Sequence, residues 1–190
     1  MLQLKVDNYF AQGAERRCYQ HPTNSAVCIK IPRSDAQADQ NRIEKFYFSI
    51  LKFRKVKTEN ILPKLYGPII TNLGKGLMFE MITDHDGKRS LTINDYISSK
   101  QITIENAETI IWQLCNSLSA KGILMDDKNP ENILLKKSSN GDLVPILIDG
   151  FGAKTFSFKF IVGALLPFYA RFKTKKRSKQ LIDKMRNKFI

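Results

Sequence analysis

Histidine, paired cysteine and long apolar runs are what this chain has least of. Its two histidines are isolated, and its three cysteines (Cys18, Cys28 and Cys115) are odd in number with no metal-ligand spacing. They leave neither a zinc site nor a disulfide framework to build on. No glycine period or heptad register marks a fibre. A composition that is 43% hydrophobic and 26% charged excludes a largely disordered chain. The opening segment MLQLKVDNYF alternates polar and apolar residues and carries Asp7, so it does not read as a signal peptide. With no sign of disulfides, a reducing cytoplasm is the expected setting. The 190 residues suit one domain, or two small lobes sharing a core.

Acid is scarce in one place only. From Phe151 onward there are 11 Lys and Arg against a single acid, Asp183, a net charge of +10. The first 150 residues carry only +3 of the total +13. The basicity therefore belongs to a tail, about 153–190. Its uncharged run from Phe160 to Ala170 is 11 residues long, short of the ~20 that span a bilayer. An apolar stretch followed by Arg171, Lys173, Lys175, Lys176 and Arg177 suits peripheral contact with an anionic membrane through residues 156–188. A core helix with a solvated basic end is the plainer alternative. A nucleic-acid partner is disfavoured, because no recognition module appears and the aromatics flank the basic run instead of interleaving with it.

Turn residues between β-branched and aromatic runs predict strands in LQLKVDNYF, RRCYQ and AVCIKI, with turns near Gly13 and over His21 to Ser25. Residues 34–55 turn helical, with Ile43, Phe46, Tyr47, Ile50, Leu51 and Arg54 on one face. A strand pair follows in ILPKLYGPIIT and GLMFEMI, then a short helix over 91–99. A longer helix is expected over 103–121, started at Thr103 and stopped by Gly122. Its stripe of Ile111, Leu114 and Leu118, together with Trp112, reads as core packing. Two strands over 133–137 and 144–148 complete a mixed α+β plan.

Two polar clusters interrupt the apolar strands. Met125-Asp126-Asp127-Lys128-Asn129-Pro130-Glu131-Asn132 runs straight into ILL, and Leu147-Ile148 ends in Asp149-Gly150-Phe151-Gly152. Acids and an amide ahead of a strand, then an acid beside glycines, is a cation-holding pattern. Magnesium takes such oxygen donors and completes its shell with water and phosphate.

These residues resemble the protein-kinase-like fold. Asp127 and Asn132 match D-x-x-x-x-N, and Pro130 to Leu135 repeats the commonest form of that loop. Asp149-Gly150-Phe151-Gly152 corresponds to Asp-Phe-Gly, with one inserted glycine or with Asp149-Gly150-Phe151 in register. Ala26-Val27-Cys28-Ile29-Lys30 resembles the strand whose lysine holds the nucleotide phosphates, and Glu44 is its natural partner. Gly13-x-x-Arg16-x-Cys18-Tyr19-x-His21-Pro22, Cys28 to Ile31 and Asp84-x-Asp86-Gly87-Lys88 resemble the YrbL family of PhoP regulatory network proteins. That family is similar to kinases of lipopolysaccharide core sugars.

The resemblance implies a two-lobed α+β fold with a strongly reduced C-terminal lobe. Residues 1–82 would form the nucleotide-binding lobe and 83–190 the catalytic and metal loops with the basic tail. It implies ATP and Mg2+ as cofactors, with Lys30 on the phosphates and Asp149 with Asn132 on the metal. Asp127 would be the base for the acceptor hydroxyl. Gly13 would stand in the phosphate loop, and the backbone of Glu80 and Ile82 in the adenine hinge. The implied partners are nucleotide and a sugar or lipid-linked acceptor, with a cytoplasmic location or one at the inner face of the cytoplasmic membrane. A single glycine in the phosphate loop, Met125 in place of a histidine, Asn129 in place of a lysine and only 38 residues after Gly152 depart from protein kinases. They keep a second reading open, a kinase-like regulatory binding module in envelope or magnesium stress signalling. Read alone, Lys30 and Glu44 are surface charges, and Asp127, Asn132 and Asp149 are turn-formers. Asp126 reads as a spectator.

Overall fold

The computed structural model describes residues 1–189. Strands β1 (Tyr9–Gln12), β2 (Arg16–His21) and β3 (Asn24–Pro32) precede helix α1 (Gln40–Phe53), and β4 (Leu65–Thr71) and β5 (Gly74–Glu80) follow it. These strands form one sheet in the order β1-β2-β3-β5-β4, antiparallel throughout. Alternation along β3 gives the sheet two different faces. Val27, Ile29 and Ile31 join Leu4 and Tyr19 in a small apolar cluster on one side. Lys30 and its cross-strand partner Cys18 point to the other, where Arg16, two residues before Cys18, also lies.

Several boundaries differ from the sequence reading, for local reasons. Residues 2–7 form no strand beyond a bridge from Leu2 to Thr71, and residues 61–64 stay outside β4. Helix α1 starts at Gln40 instead of 34, because the preceding segment is tied down otherwise. The Glu15 carboxylate accepts the N–H groups of Gln37 (2.7 Å) and Ala38 (3.1 Å), and Asp39 caps the helix by accepting from Arg42 N. A side chain that satisfies backbone donors in this way competes with helix formation.

The second lobe begins with β6 (Leu91–Thr92), which runs directly into α2 (Ile93–Ser98), where a strandless helix was expected. Thr92 and Asp95 form a reciprocal capping box there. Helix α3 (Ile104–Ala120) is capped by Thr103, and Gly122 follows it with φ +62. Its buried stripe is Ala107, Ile111, Leu114 and Leu118, each Ile or Leu contributing roughly 1.5–3 kcal/mol on burial. Trp112 is not part of that stripe; it is 37% exposed. A 3₁₀ turn (Pro130–Asn132) leads into β7 (Ile133–Lys137), which pairs with β6 and with β8 (Leu143–Leu147).

The tail is two helices, α4 (Phe158–Leu165) and α5 (Pro167–Phe189), with the break at Leu166-Pro167. Helix α5 packs along α3 through Ala170, Thr174, Ser178, Leu181, Ile182 and Met185. It thus supplies core to the second lobe. Among the described residues, no helix is long and apolar enough to cross a membrane.

Candidate active site

The cleft between the two sheets gathers charge from four elements. Glu44, on the buried face of α1 and 1% exposed, takes a two-pronged hydrogen bond from Arg16 (2.6 and 2.8 Å). Lys30 Nζ lies 3.4 Å from the same carboxylate, donates to the Ile148 carbonyl (2.9 Å) and sits 4.5 Å above the Phe79 ring. Arg16 also donates to Asp149 Oδ2 (2.8 Å), so one guanidinium joins β2, α1 and the turn after β8. Burial pushes the Arg16 guanidinium toward deprotonation, but Glu44 and Asp149 outweigh it and its pKa rises. Burial likewise works to raise Asp149, while the charges of Lys30 and Arg16 and the Gly150 N–H hold it well below the usual carboxylate range. Cys18, opposite Lys30, is drawn down to about 7, chiefly by the neighbouring Cys28 thiol and then by the charges of Lys30 and Arg16.

Below this network lies Asp127. Its carboxylate accepts from Asn132 Nδ2 (3.1 Å) and from the Lys128 N–H (2.7 Å), and its side chain stays 29% exposed. The five-residue spacing brings the amide back onto the acid because the 3₁₀ turn closes between them. Gly150 is required where the two clusters meet. Its φ is +79, and a Cβ would fall 2.4 Å from Asp127 Cβ and 3.4 Å from Asn132 Nδ2. The Gly150 carbonyl accepts from the N–H groups of both Asp126 (2.8 Å) and Asp127 (3.0 Å). Phe151 then turns inward against α1, stacked on Tyr47 (6.4 Å) and edge-on to Phe48 (5.4 Å). Gly150 is thus an extra residue between the acid and the phenylalanine, and the aromatic still docks under α1.

The segment 123–125 entering this loop is buried, so its backbone polar groups need partners. Tyr47 Oη accepts from Leu124 N (2.6 Å), while Thr174 Oγ1 of α5 accepts from Met125 N (3.0 Å) and donates to the Ile123 carbonyl (2.9 Å). Helix α5 therefore satisfies the backbone of this segment through a single threonine. Asp126 is bound to the same helix, 2.7 Å from Lys173 Nζ and 3.4 Å from Arg177 Nη2. Lys184 reaches Asn129 (3.4 Å) and Lys188 reaches Glu131 (2.9 Å).

The other expected residues lie along the rim. Gly13 N–H donates to the Arg16 carbonyl (2.9 Å) and its own carbonyl accepts from Arg33 (3.1 Å), so residues 13–15 form a closed turn. The Glu80 carboxylate accepts from Lys64 N (3.1 Å), bracing β4 to β5 and not facing the cleft floor. The Ile82 carbonyl accepts from Ser90 (3.1 Å), while the buried Ile82 N–H has no acceptor among the described residues. Two cations of the site were given no role by the sequence. Arg16 was legible only as part of a motif, and Lys154, whose Nζ lies 3.8 Å from Asp127, as a basic residue shortly after the glycine turn.

Among the described residues no group of three or more His, Cys, Asp and Glu is arranged to hold a metal. The donors that could serve magnesium are Asp149 and the Asn132 Oδ1, which accepts no hydrogen bond among the described residues while Nδ2 is engaged with Asp127. Both are hard oxygens, and they fit the ion when phosphate supplies further ligands. Arg16 donates to Asp149 Oδ2 and the Gly150 N–H to Oδ1 (2.7 Å), so an ion there would share the carboxylate with both.

A five-stranded antiparallel sheet with one buried lysine–glutamate pair, set over an Asp-x-x-x-x-Asn loop and an acid–glycine turn, defines a kinase-like fold. The structural comparison agrees: the kinase domain of Mycobacterium tuberculosis PknI superposes with a TM-score of 0.55 over 92% of this chain and 72% of that one, at 14% identity. Within that class, the chain belongs to the PhoP regulatory network protein YrbL family, whose model matches residues 2–186. The YrbL protein of Escherichia coli (strain K12) is 29% identical over 159 residues, covering 82% of this chain and 75% of its own length, and that of Shigella flexneri matches equally.

Proposed function

We propose that the chain is an ATP- and magnesium-dependent phosphotransferase acting on a sugar hydroxyl of a lipopolysaccharide-core-like acceptor, or on another small or membrane-borne alcohol. The observation that carries this reading is Asp127, partly exposed in the cleft and oriented by Asn132 Nδ2 and the Lys128 N–H. A carboxylate so held can accept the proton of an attacking hydroxyl while its oxygen bonds to the γ-phosphorus and the bond to the departing ADP breaks. Lys30, fixed by Glu44, would hold the α- and β-phosphates, and the Ile82 N–H and Glu80 carbonyl would meet the adenine. Asp149 and Asn132 Oδ1 would hold magnesium, which when bound offsets phosphate charge. The rest of the work is positioning.

The test is transfer of γ-phosphate from labelled ATP to dephosphorylated core oligosaccharide. Replacing Asp127 by Asn should lower transfer by roughly 10²–10⁴ with the fold intact by circular dichroism. Undiminished transfer would overturn the role of this acid. A second reading is favoured by the Arg16–Asp149 pair at 2.8 Å, which occupies the metal-side carboxylate. It makes the chain a kinase-like module that binds without catalysis in envelope or magnesium stress signalling. It expects Asp127→Asn to keep the biological activity.

A further inference from the structure

The basic tail divides into two halves with different fates. Lys173, Arg177, Lys184, Arg186 and Lys188 all turn inward, to Asp126, Asn129, Glu108 and Glu131 of the catalytic loop and α3. Lys159, Arg171, Lys175, Lys176 and Lys179 meet no carboxylate among the described residues. The Arg171 guanidinium donates to the Ala120 carbonyl (3.3 Å). No acid lies between Asp149 and Asp183 to offset them.

The same stretch holds the densest group of exposed apolar side chains in the protein. On α4, Phe158 (81% exposed), Val162 and Leu165 recur at helical spacing on the side away from buried Phe160, Gly163 and Ala164, and Leu166 just past its end is exposed too. On α5, Phe168 (67% exposed) and Phe172 (71% exposed) lie on the side away from buried Ala170 and Thr174, and Lys176 and Lys179 continue their line. Close packing of the two helices is fixed at Gly163, where a Cβ would fall 2.6 Å from the Tyr169 ring. Large aromatics left in water at this density mark a contact surface.

We propose that the outward side of α4 and the first three turns of α5 is a docking surface for an anionic lipid bilayer. The phenylalanines and leucines would enter the boundary between headgroups and acyl chains, with the unpaired cations meeting lipid phosphates. Charge selects this occupant. A second copy of the chain would set the five unpaired cations against their own kind, and a nucleic acid would leave the phenylalanines unburied. Snorkelling lysines beside exposed aromatics are what an interface of apolar and anionic character accommodates. The proposal goes beyond the phosphotransfer reading and stands whether or not the cleft turns over nucleotide. It also gives α5 two uses, its inward side holding the loop from Asp126 to Glu131 and its outward side facing the bilayer.

The test is flotation of the full chain with vesicles of phosphatidylcholine alone or mixed with phosphatidylglycerol. The same protein is titrated with duplex DNA and its mass followed by sedimentation. Expected is binding to the anionic vesicles only, weakened by salt. Phe168→Ser with Phe172→Ser, and separately Lys175→Glu with Lys176→Glu, should each lower partitioning by roughly tenfold or more at unchanged melting temperature. Both pairs are solvent-exposed and outside the cleft, so folding is retained. No binding to anionic vesicles, or equal binding to neutral ones, overturns the proposal. So does a dimer that dissolves when the phenylalanines are replaced, or DNA binding that outcompetes vesicles and ignores them.

Discussion

The two sides of the cleft handle charge in opposite ways. On the sheet side, Arg16, Lys30, Glu44 and Asp149 neutralise one another, and the pair at its heart, Arg16 and Glu44, is almost wholly buried. On the loop side, Asp127 is oriented by neutral groups, a backbone N–H and an amide, with only Lys154 at 3.8 Å, and remains partly open to solvent. The sheet side is thus an ion cluster buried at Arg16 and Glu44 but open at Asp149, whose side chain is 42% exposed, and the loop side is an acid held by neutral donors. In a phosphotransferase the first governs whether metal and nucleotide enter, and the second what happens afterwards.

Breaking the sheet side at its centre should have the largest effect. Glu44→Ala leaves Arg16 and Lys30 buried without their carboxylate, and a loss of about 3–5 kcal/mol is expected in urea unfolding. A loss under 1 kcal/mol would mean the cluster is not a unit. Gly150→Ala tests the contact between the sides. The left-handed backbone and the 2.4 Å approach to Asp127 Cβ together should cost about 3 kcal/mol or displace the acid, visible in stability and turnover alike.

Arg16→Met sharpens the comparison. It should lower the melting temperature without ligand yet enlarge the magnesium-dependent stabilisation by ATP, because Asp149 no longer shares its carboxylate with a guanidinium. A smaller stabilisation than in the parent would make Arg16 a phosphate ligand instead. The smallest effect belongs to the tail. Burial works to raise Asp126, but the hydrogen bond and charge of Lys173 and the charge of Arg177 prevail and lower it. A carboxylate lowered in the folded state stabilises fully above its unfolded value near 4 and loses that contribution as pH falls through the lowered one. Acidification below about pH 4 should therefore loosen α5, and Asp126→Asn should flatten that part of the stability profile at a cost of about 1 kcal/mol near neutrality.

The motifs that carry their own local geometry were legible in the sequence. Thr103 and Gly122 bound α3, and the 3.6-residue stripe of α1 put Ile43, Tyr47, Ile50 and Leu51 inside. The lysine strand, the Asp-to-Asn spacing and the acid–glycine turn were readable through their resemblance to kinase-like motifs, and the structure brings Lys30 to Glu44 and Asn132 to Asp127. What escaped depends on contacts across long stretches of sequence. Arg16 meets an aspartate 133 residues away, and Asp126 acquires its role only when α5 folds back on it. Neither periodicity nor spacing encodes such a meeting. The start of α1 was missed for a related reason, since the donors of Gln37 and Ala38 are claimed by Glu15 from another strand loop.

Thermal unfolding with ATP, with and without magnesium, on the parent protein and on Asp149→Asn, tests the central claim most directly. Ligand at a hundred times its dissociation constant adds about 2.7 kcal/mol, roughly 5–10 °C for a chain of this size. A magnesium-dependent rise of that order, lost in Asp149→Asn, is the expected result. No rise in the parent, or an equal rise in both proteins, would contradict a nucleotide site built on the Asp149 turn.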